Sequence, residues 1–120
     1  MIKLYGIPTC STVRSARKFF KDREIEIEFI DFKKVSVGRQ KTDEWLKHID
    51  INKLFNNRGK KYRDLKLKDL NLDDEGKAKW LSDENMLFKR PVVEFDDKAI
   101  VGWDEELYME LFKAKGIKNG

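Results

Sequence analysis

Ile2-Lys3-Leu4-Tyr5-Gly6-Ile7-Pro8-Thr9-Cys10 runs from an alternating stretch into a loop bounded by Gly and Pro, and the residues beyond it change period. Ile2 and Leu4 alternate with Lys3 and Tyr5, the pattern of a short strand ending at Gly6. After Cys10, the residues Val13, Ala16, Phe19 and Phe20 recur at helical spacing and define one apolar face. Arg14, Arg17, Lys18 and Lys21 fall on or beside the other face, and Ser11 or Thr12 is the predicted N-cap. Glu24-Ile25-Glu26-Ile27-Glu28-Phe29-Ile30 returns to alternation and reads as a second strand. Strand, helix and strand in so short a span predict a parallel pair joined by a right-handed crossover.

The middle of the chain is helical in character. Thr42 is the predicted cap of a helix carrying Trp45, Leu46 and Ile49, with Ile51, Leu54 and Phe55 in a further turn or short helix. Asp73 is placed to cap another helix, which carries Trp80 and Leu81 and tolerates Gly76. About four short helical pieces are expected here. Past Arg90-Pro91, Val92-Val93-Glu94-Phe95 and Ala99-Ile100-Val101 flank Asp96-Asp97, which predicts a β-hairpin. Asp104 then reads as an N-cap, with Trp103 and Tyr108 as a hydrophobic staple and Glu105 and Glu106 at the positive end of the helix dipole. That helix is expected to reach about Lys115 and stop at Gly116. The order is βαβ, a helical insertion, then ββα: an α/β chain with a mixed four-stranded sheet.

The 120 residues suit one domain, 1–120, with the insertion at about 38–88. Hydrophobic residues make up 40% and charged residues 40%, enough for one core under a charged surface. No apolar run approaches the length of a membrane span. One cysteine cannot form an internal disulfide, so the expected location is cytoplasmic. The net charge of +4 comes from 26 basic and 22 acidic residues mixed along the chain, a distribution that argues against direct nucleic-acid binding. Only Arg58-Gly59-Lys60-Lys61-Tyr62-Arg63 clusters positive charge, and such runs are usually solvated. His48 has no second ligand-bearing neighbour, so no metal site is expected. Trp45, Trp80 and Trp103 read as core anchors.

Cys10 is the residue with chemistry. It precedes a helix whose first N–H groups have no intrahelical partner, and a thiolate is favoured there, with Arg14 one turn further on. The competing reading is a small inert apolar residue.

Tyr5-Gly6-x-Pro8-x-Cys10 with its basic helix resembles the opening of the arsenate reductase (ArsC) family, to which Spx-type transcription regulators also belong. The likeness continues through Phe55-Asn56-x-Arg58-Gly59-x-x-Tyr62-Arg63-x-Leu65, Lys89-Arg90-Pro91-Val92-Val93 and Val101-Gly102-Trp103-Asp104-Glu105. The resemblance implies a thioredoxin-like, glutaredoxin-like fold. It also implies a catalytic Cys10, an Arg90 that faces the cysteine loop to hold an oxyanion or thiolate, and a cis-proline at Pro91. Several positions depart from the reductase pattern. Val13 replaces a second cysteine, Gly6 stands where the reductases have His, and Asn56 and Gly102 occupy two of three oxyanion-binding arginine positions. Arg58 is a candidate substitute for the arginine missing at 56. The expectation is a thiol-dependent reductase of the arsenate reductase-like group with no bound cofactor. It would act on an oxyanion or disulfide, with glutathione or another small thiol resolving Cys10. The alternative is a regulator that contacts RNA polymerase through the insertion around Gly59, without catalysis.

Overall fold

A computed structural model describes residues 1–119, and the side chains of residues 1–112. Strand β1 (Ile2–Gly6) leads through the cysteine loop into helix α1 (Ser11–Asp22), and β2 (Ile27–Asp31) returns parallel to β1. The insertion holds α2 (Gly38–Leu46), α3 (Ile51–Leu54), α4 (Lys60–Asp64) and α5 (Asp74–Asp83), with 3₁₀ turns at Leu67–Leu70 and Asn85–Leu87. The hairpin β3 (Val92–Phe95) and β4 (Lys98–Val101) follows, then α6 (Glu105–Asn119). The sheet order is β2-β1-β3-β4, with β3 antiparallel to both of its neighbours. This is the thioredoxin-like α/β arrangement, with the insertion between β2 and β3.

Side-chain alternation along β1 distributes the core between two layers. Ile2 and Leu4 join Val93 and Phe95 under the α1 residues Val13, Ala16, Phe19 and Phe20 and the α6 residues Tyr108 and Phe112. On the opposite face Tyr5 and Val92 meet Phe32, Trp45, Leu54, Leu81 and Phe88, most of them from the insertion. Each fully buried large apolar side chain contributes about 1.5–3 kcal/mol, so neither layer is dispensable. Trp45 is 1% exposed, whereas Trp80 and Trp103 are only half-buried, so just one of the three indoles is a full core anchor.

Several boundaries differ from the sequence expectation, each for a local reason. The N-cap of α1 is Cys10 itself, and neither Ser11 nor Thr12 caps it. The second strand starts at Ile27 because Glu24 and Ile25 terminate α1. Glu24 takes a left-handed φ of 55°, its N–H bonds to Lys21 O at 3.1 Å, and Ile25 N–H bonds to Phe20 O at 2.9 Å. That pair of bonds is a Schellman ending, with Ile25 packed in the same cluster as Phe20. Helix α2 starts four residues before Thr42, which is buried mid-helix and donates its hydroxyl hydrogen to Gly38 O at 2.7 Å. Gly38 has φ +73°, and the entry to α2 is held by Val37 N–H donating to the buried Asn85 Oδ1 at 2.9 Å. Helix α6 continues past Gly116, since a helical glycine costs about 1 kcal/mol and does not forbid the helix.

Other local signals agree with the structure. Asp73 accepts from Gly76 N–H at 2.8 Å and Asp104 from Leu107 N–H at 3.2 Å. Trp103 meets Tyr108 edge-on with ring centroids 4.8 Å apart, closing the staple. Asp96 and Asp97 both have positive φ, 47° and 61°, as a two-residue hairpin turn of the right twist requires.

Glu94 is the polar centre of the insertion-side layer. Tyr5 donates its hydroxyl to Oε1 at 2.9 Å, while Trp45 Nε1 at 2.7 Å and Lys41 Nζ at 2.9 Å donate to Oε2. Burial alone would raise the carboxyl pKa, but the bonds from Trp45, Lys41 and Tyr5 outweigh it and hold the pKa below the ordinary value. Burial, and then the same contact, push the Tyr5 phenol well above its ordinary value. Replacing Glu94 with Gln should therefore destabilise the fold by about 1.5–3 kcal/mol at neutral pH. A carboxyl whose folded pKa is depressed stabilises fully above its unfolded value, about 4.3, and loses that contribution as pH falls through the folded value. Urea denaturation of both proteins should show the gap closing below about pH 4, and a pH-independent gap would refute this role.

Candidate thiol site at the head of α1

Cys10 sits where β1 ends and α1 begins, half-buried and packed against the edges of both core layers. Its backbone is extended, φ −79° and ψ 128°, so the side chain hangs over the first helical turn. Burial of the sulfur favours the neutral thiol. Against this act the Thr12 hydroxyl, the backbone N–H groups of Val13 and Thr12, and the charge of Arg90, and together they bring the thiol pKa below its ordinary value. The free amides are those a helix start leaves without carbonyl partners.

Thr12 is the residue that sequence reasoning missed, since it was considered only as a cap. Its Oγ1 lies 3.1 Å from Cys10 Sγ and donates to Arg90 O at 2.9 Å. A hydroxyl carries one hydrogen. With Cys10 protonated, S–H can donate to Thr12 while Thr12 donates to Arg90. With Cys10 ionised, the hydroxyl must turn to the sulfur and leave the Arg90 carbonyl. One side chain thus joins the start of α1 to the segment that enters β3.

Arg90 approaches from that segment, and the Arg90–Pro91 peptide bond is cis, with Pro91 buried. The guanidinium Nη1 donates to Met86 Sδ at 3.5 Å, a weak acceptor, and no carboxylate pairs with Arg90 among the described residues. A bridge between Phe55 and Phe88 ties the insertion to the residues just before Arg90, through Asn56 N–H to Leu87 O and Lys89 N–H to Leu54 O, both 2.8 Å. Nothing in the sequence signalled Met86, since an apolar residue in a short turn has no distinguishing pattern.

The other sequence candidates lie elsewhere. Arg14 is exposed one turn along α1, and its charge is not among the leading influences on the thiol. Arg58 is exposed on the insertion with local contacts: its N–H bonds to Asn56 Oδ1 at 3.1 Å and its carbonyl accepts from Arg63 Nη1 at 2.7 Å. Neither guanidinium hydrogen-bonds to Cys10 among the described residues. In the cluster around Arg58, Lys60 pairs with Asp64 at 2.6 Å and Lys61 with Glu84 at 3.9 Å, which neutralises much of its charge. Gly59 is the N-cap of α4, where a Cβ would come 2.7 Å from Asn56 Nδ2. Gly102 follows β4 with φ +92°. A Cβ on Gly6 would meet Val13 Cγ2 at 2.5 Å, so two of the departures from the reductase pattern fit against each other. His48 is exposed, and no three His, Cys, Asp or Glu side chains converge as a metal site among the described residues.

The ArsC family profile matches residues 5–111. A Haemophilus influenzae protein is 30% identical over 113 residues, covering 93% of this chain and 99% of its own. A Staphylococcus aureus protein of known solution structure is 36% identical, with a TM-score of 0.76 over 92% of this chain and 97% of that one. An arsenate reductase (ArsC) related protein from Brucella melitensis is 31% identical, with a TM-score of 0.71 over 93% and 94% of the two chains. The chain belongs to the ArsC family.

The thiol environment makes a direct expectation. Alkylation of Cys10 by iodoacetamide should titrate below the value of free cysteine, about 8.5. Thr12→Val and Arg90→Ala should each move the midpoint upward, because each removes a group that favours the thiolate, while Thr12→Ser should restore it. A midpoint unmoved by Thr12→Val would remove the hydroxyl from the site.

Proposed function

We propose that this chain is a thiol-dependent reductase in which Cys10 is the nucleophile and an external small thiol, glutathione being the natural candidate, completes the cycle. The observation that carries this reading is the Cys10 sulfur beside free helix amides, with an arginine close by that no carboxylate among the described residues neutralises. That environment favours the reactive thiolate and leaves positive charge free for an anionic group. The Brucella relative, an arsenate reductase (ArsC) related protein by description, supports the same class. With Asn56 and Gly102 at two positions where reductases of oxyanions hold arginine, a disulfide is the better substrate here than arsenate.

For a disulfide the step is an exchange. The Cys10 thiolate attacks one substrate sulfur, a Cys10–S bond forms, and the substrate S–S bond breaks. The departing sulfur leaves as a thiolate that takes a proton from water. Val13 is fully buried and is not a thiol, and the sequence holds no second cysteine, so the mixed disulfide has no internal resolver. A first small thiol displaces the substrate sulfur and leaves Cys10 joined to that thiol. A second regenerates Cys10 and departs as the small-molecule disulfide. Two electrons pass from two small thiols to the substrate.

Incubation with glutathione disulfide should add one glutathione per chain by intact mass, at Cys10. Disulfide reduction should require excess glutathione, and Cys10→Ser should abolish adduct and turnover together. Reductase activity that survives Cys10→Ser would sink the proposal, and would return attention to a non-catalytic role such as polymerase contact.

A further inference from the structure

Arg14, Arg17 and Lys21 succeed one another at steps of three and four on one stripe of α1, which begins one turn beyond the N-cap Cys10. Arg14, Arg17, Lys18 and Lys21 border a groove of about 660 Å³ whose apolar lining is Ile25 and Ile27. Cations elsewhere in the structure are commonly neutralised: Arg39 by Asp43 and Glu75, Lys41 by Glu44 and Glu94, Lys60 by Asp64. In the groove only Lys18 is paired among the described residues, at 2.6 Å to Asp22, the one acidic residue in the lining. Arg17 lies over the Phe29 ring at 4.2 Å, which fixes its guanidinium without cancelling its charge. Glu28 projects from the other face of β2, where its charge acts on Tyr5, so it does not neutralise the stripe.

We propose that this groove docks an acidic, extended segment of a protein substrate and so delivers that protein's oxidised cysteine to Cys10; the inference rests on the thiol-reductase reading above. Two features favour a polypeptide over a nucleic-acid backbone. The floor is aliphatic, and β2 is an edge strand with only β1 hydrogen-bonded to it, so an extended chain has a matching surface. The spacing sets a register. Along the helix axis Arg14 is about 6 Å and Lys21 about 16 Å from Cys10. At about 3.3 Å per residue of extended chain, the complementary carboxylates fall about two to five residues from the substrate cysteine.

The test uses three peptides, each a mixed disulfide with glutathione, carrying Glu, Ser or Lys at the second to fifth positions from the cysteine. At low ionic strength the Glu peptide should be reduced about 10-fold faster than the Ser peptide, with the Lys peptide slowest. The advantage should collapse in 0.5 M salt, where the screening length is only a few ångströms, about 4 Å. Arg17→Glu combined with Lys21→Glu should reverse the ranking, a result that misfolding cannot produce. Equal reduction of all three peptides would overturn the docking proposal and leave the reductase reading standing. If no peptide is reduced, anisotropy with fluorescein-labelled peptides and the Cys10→Ser protein separates the two ideas. Preferential binding of the Glu peptide keeps the groove and removes the reductase, whereas equal binding of Glu and Lys peptides removes the groove. Tighter binding of a DNA duplex than of the Glu peptide would overturn the polypeptide assignment.

Discussion

Strand β1 lies inside the sheet with both faces covered, and the site follows from that constraint. Leu4 is fully buried toward α1 and α6, and Tyr5 is 4% exposed toward the insertion. A strand hidden on both sides presents its chemistry only where it ends. The loop after Gly6 is that end, and the only cysteine of the chain stands on it. The parallel return of β2 requires a crossover, the crossover is α1, and the unpaired amides at its start meet the sulfur. Core packing and thiol chemistry are consequences of one topology.

The insertion belongs to the same logic. It covers the face of the sheet that α1 and α6 leave open, and it encloses a carboxylate as it does so. Glu94 receives three donors from β1 and α2, so α2 is held over β3 by directional bonds as well as by apolar contact. The far end of the insertion is bridged through Phe55 and Phe88 to the residues before Arg90. The arginine beside the thiol is therefore supported from behind by the layer whose principal task is to bury Trp45, Leu81 and Phe88.

Much of the fold was legible because its signals are local. The helical face of α1, the Asp-Asp hairpin and the caps at Asp73 and Asp104 each need only a few neighbouring residues to declare themselves. The errors arose where one local pattern imitates another. The alternating Glu and Ile that begin at Glu24 look like a strand, but Glu24 and Ile25 close a helix, and nothing within that stretch separates the two. Thr42 has the chemistry of a cap and spends it on a carbonyl within its own helix. The site was legible in Cys10 and Arg90 through their resemblance to a family. The Thr12 bridge was not, because its carbonyl partner lies 78 residues away. Glu94 was hidden for the same reason: its partners are 49, 53 and 89 residues distant, and in a strand it reads as any outward polar residue.

The fit of Val13 over Gly6 makes the two positions epistatic. Any side chain at position 6 drives a Cβ into the valine methyl that already fills the space, so a change there forces Val13 to shift, and such overpacking costs about 1–3 kcal/mol. Position 13 is free to move first, since cysteine is smaller than valine and would relieve the contact. A smaller residue at 13 therefore lowers the cost of any side chain at 6. The lack of a thiol at 13 and the lack of a side chain at 6 are thus sterically linked, since one methyl group answers for both.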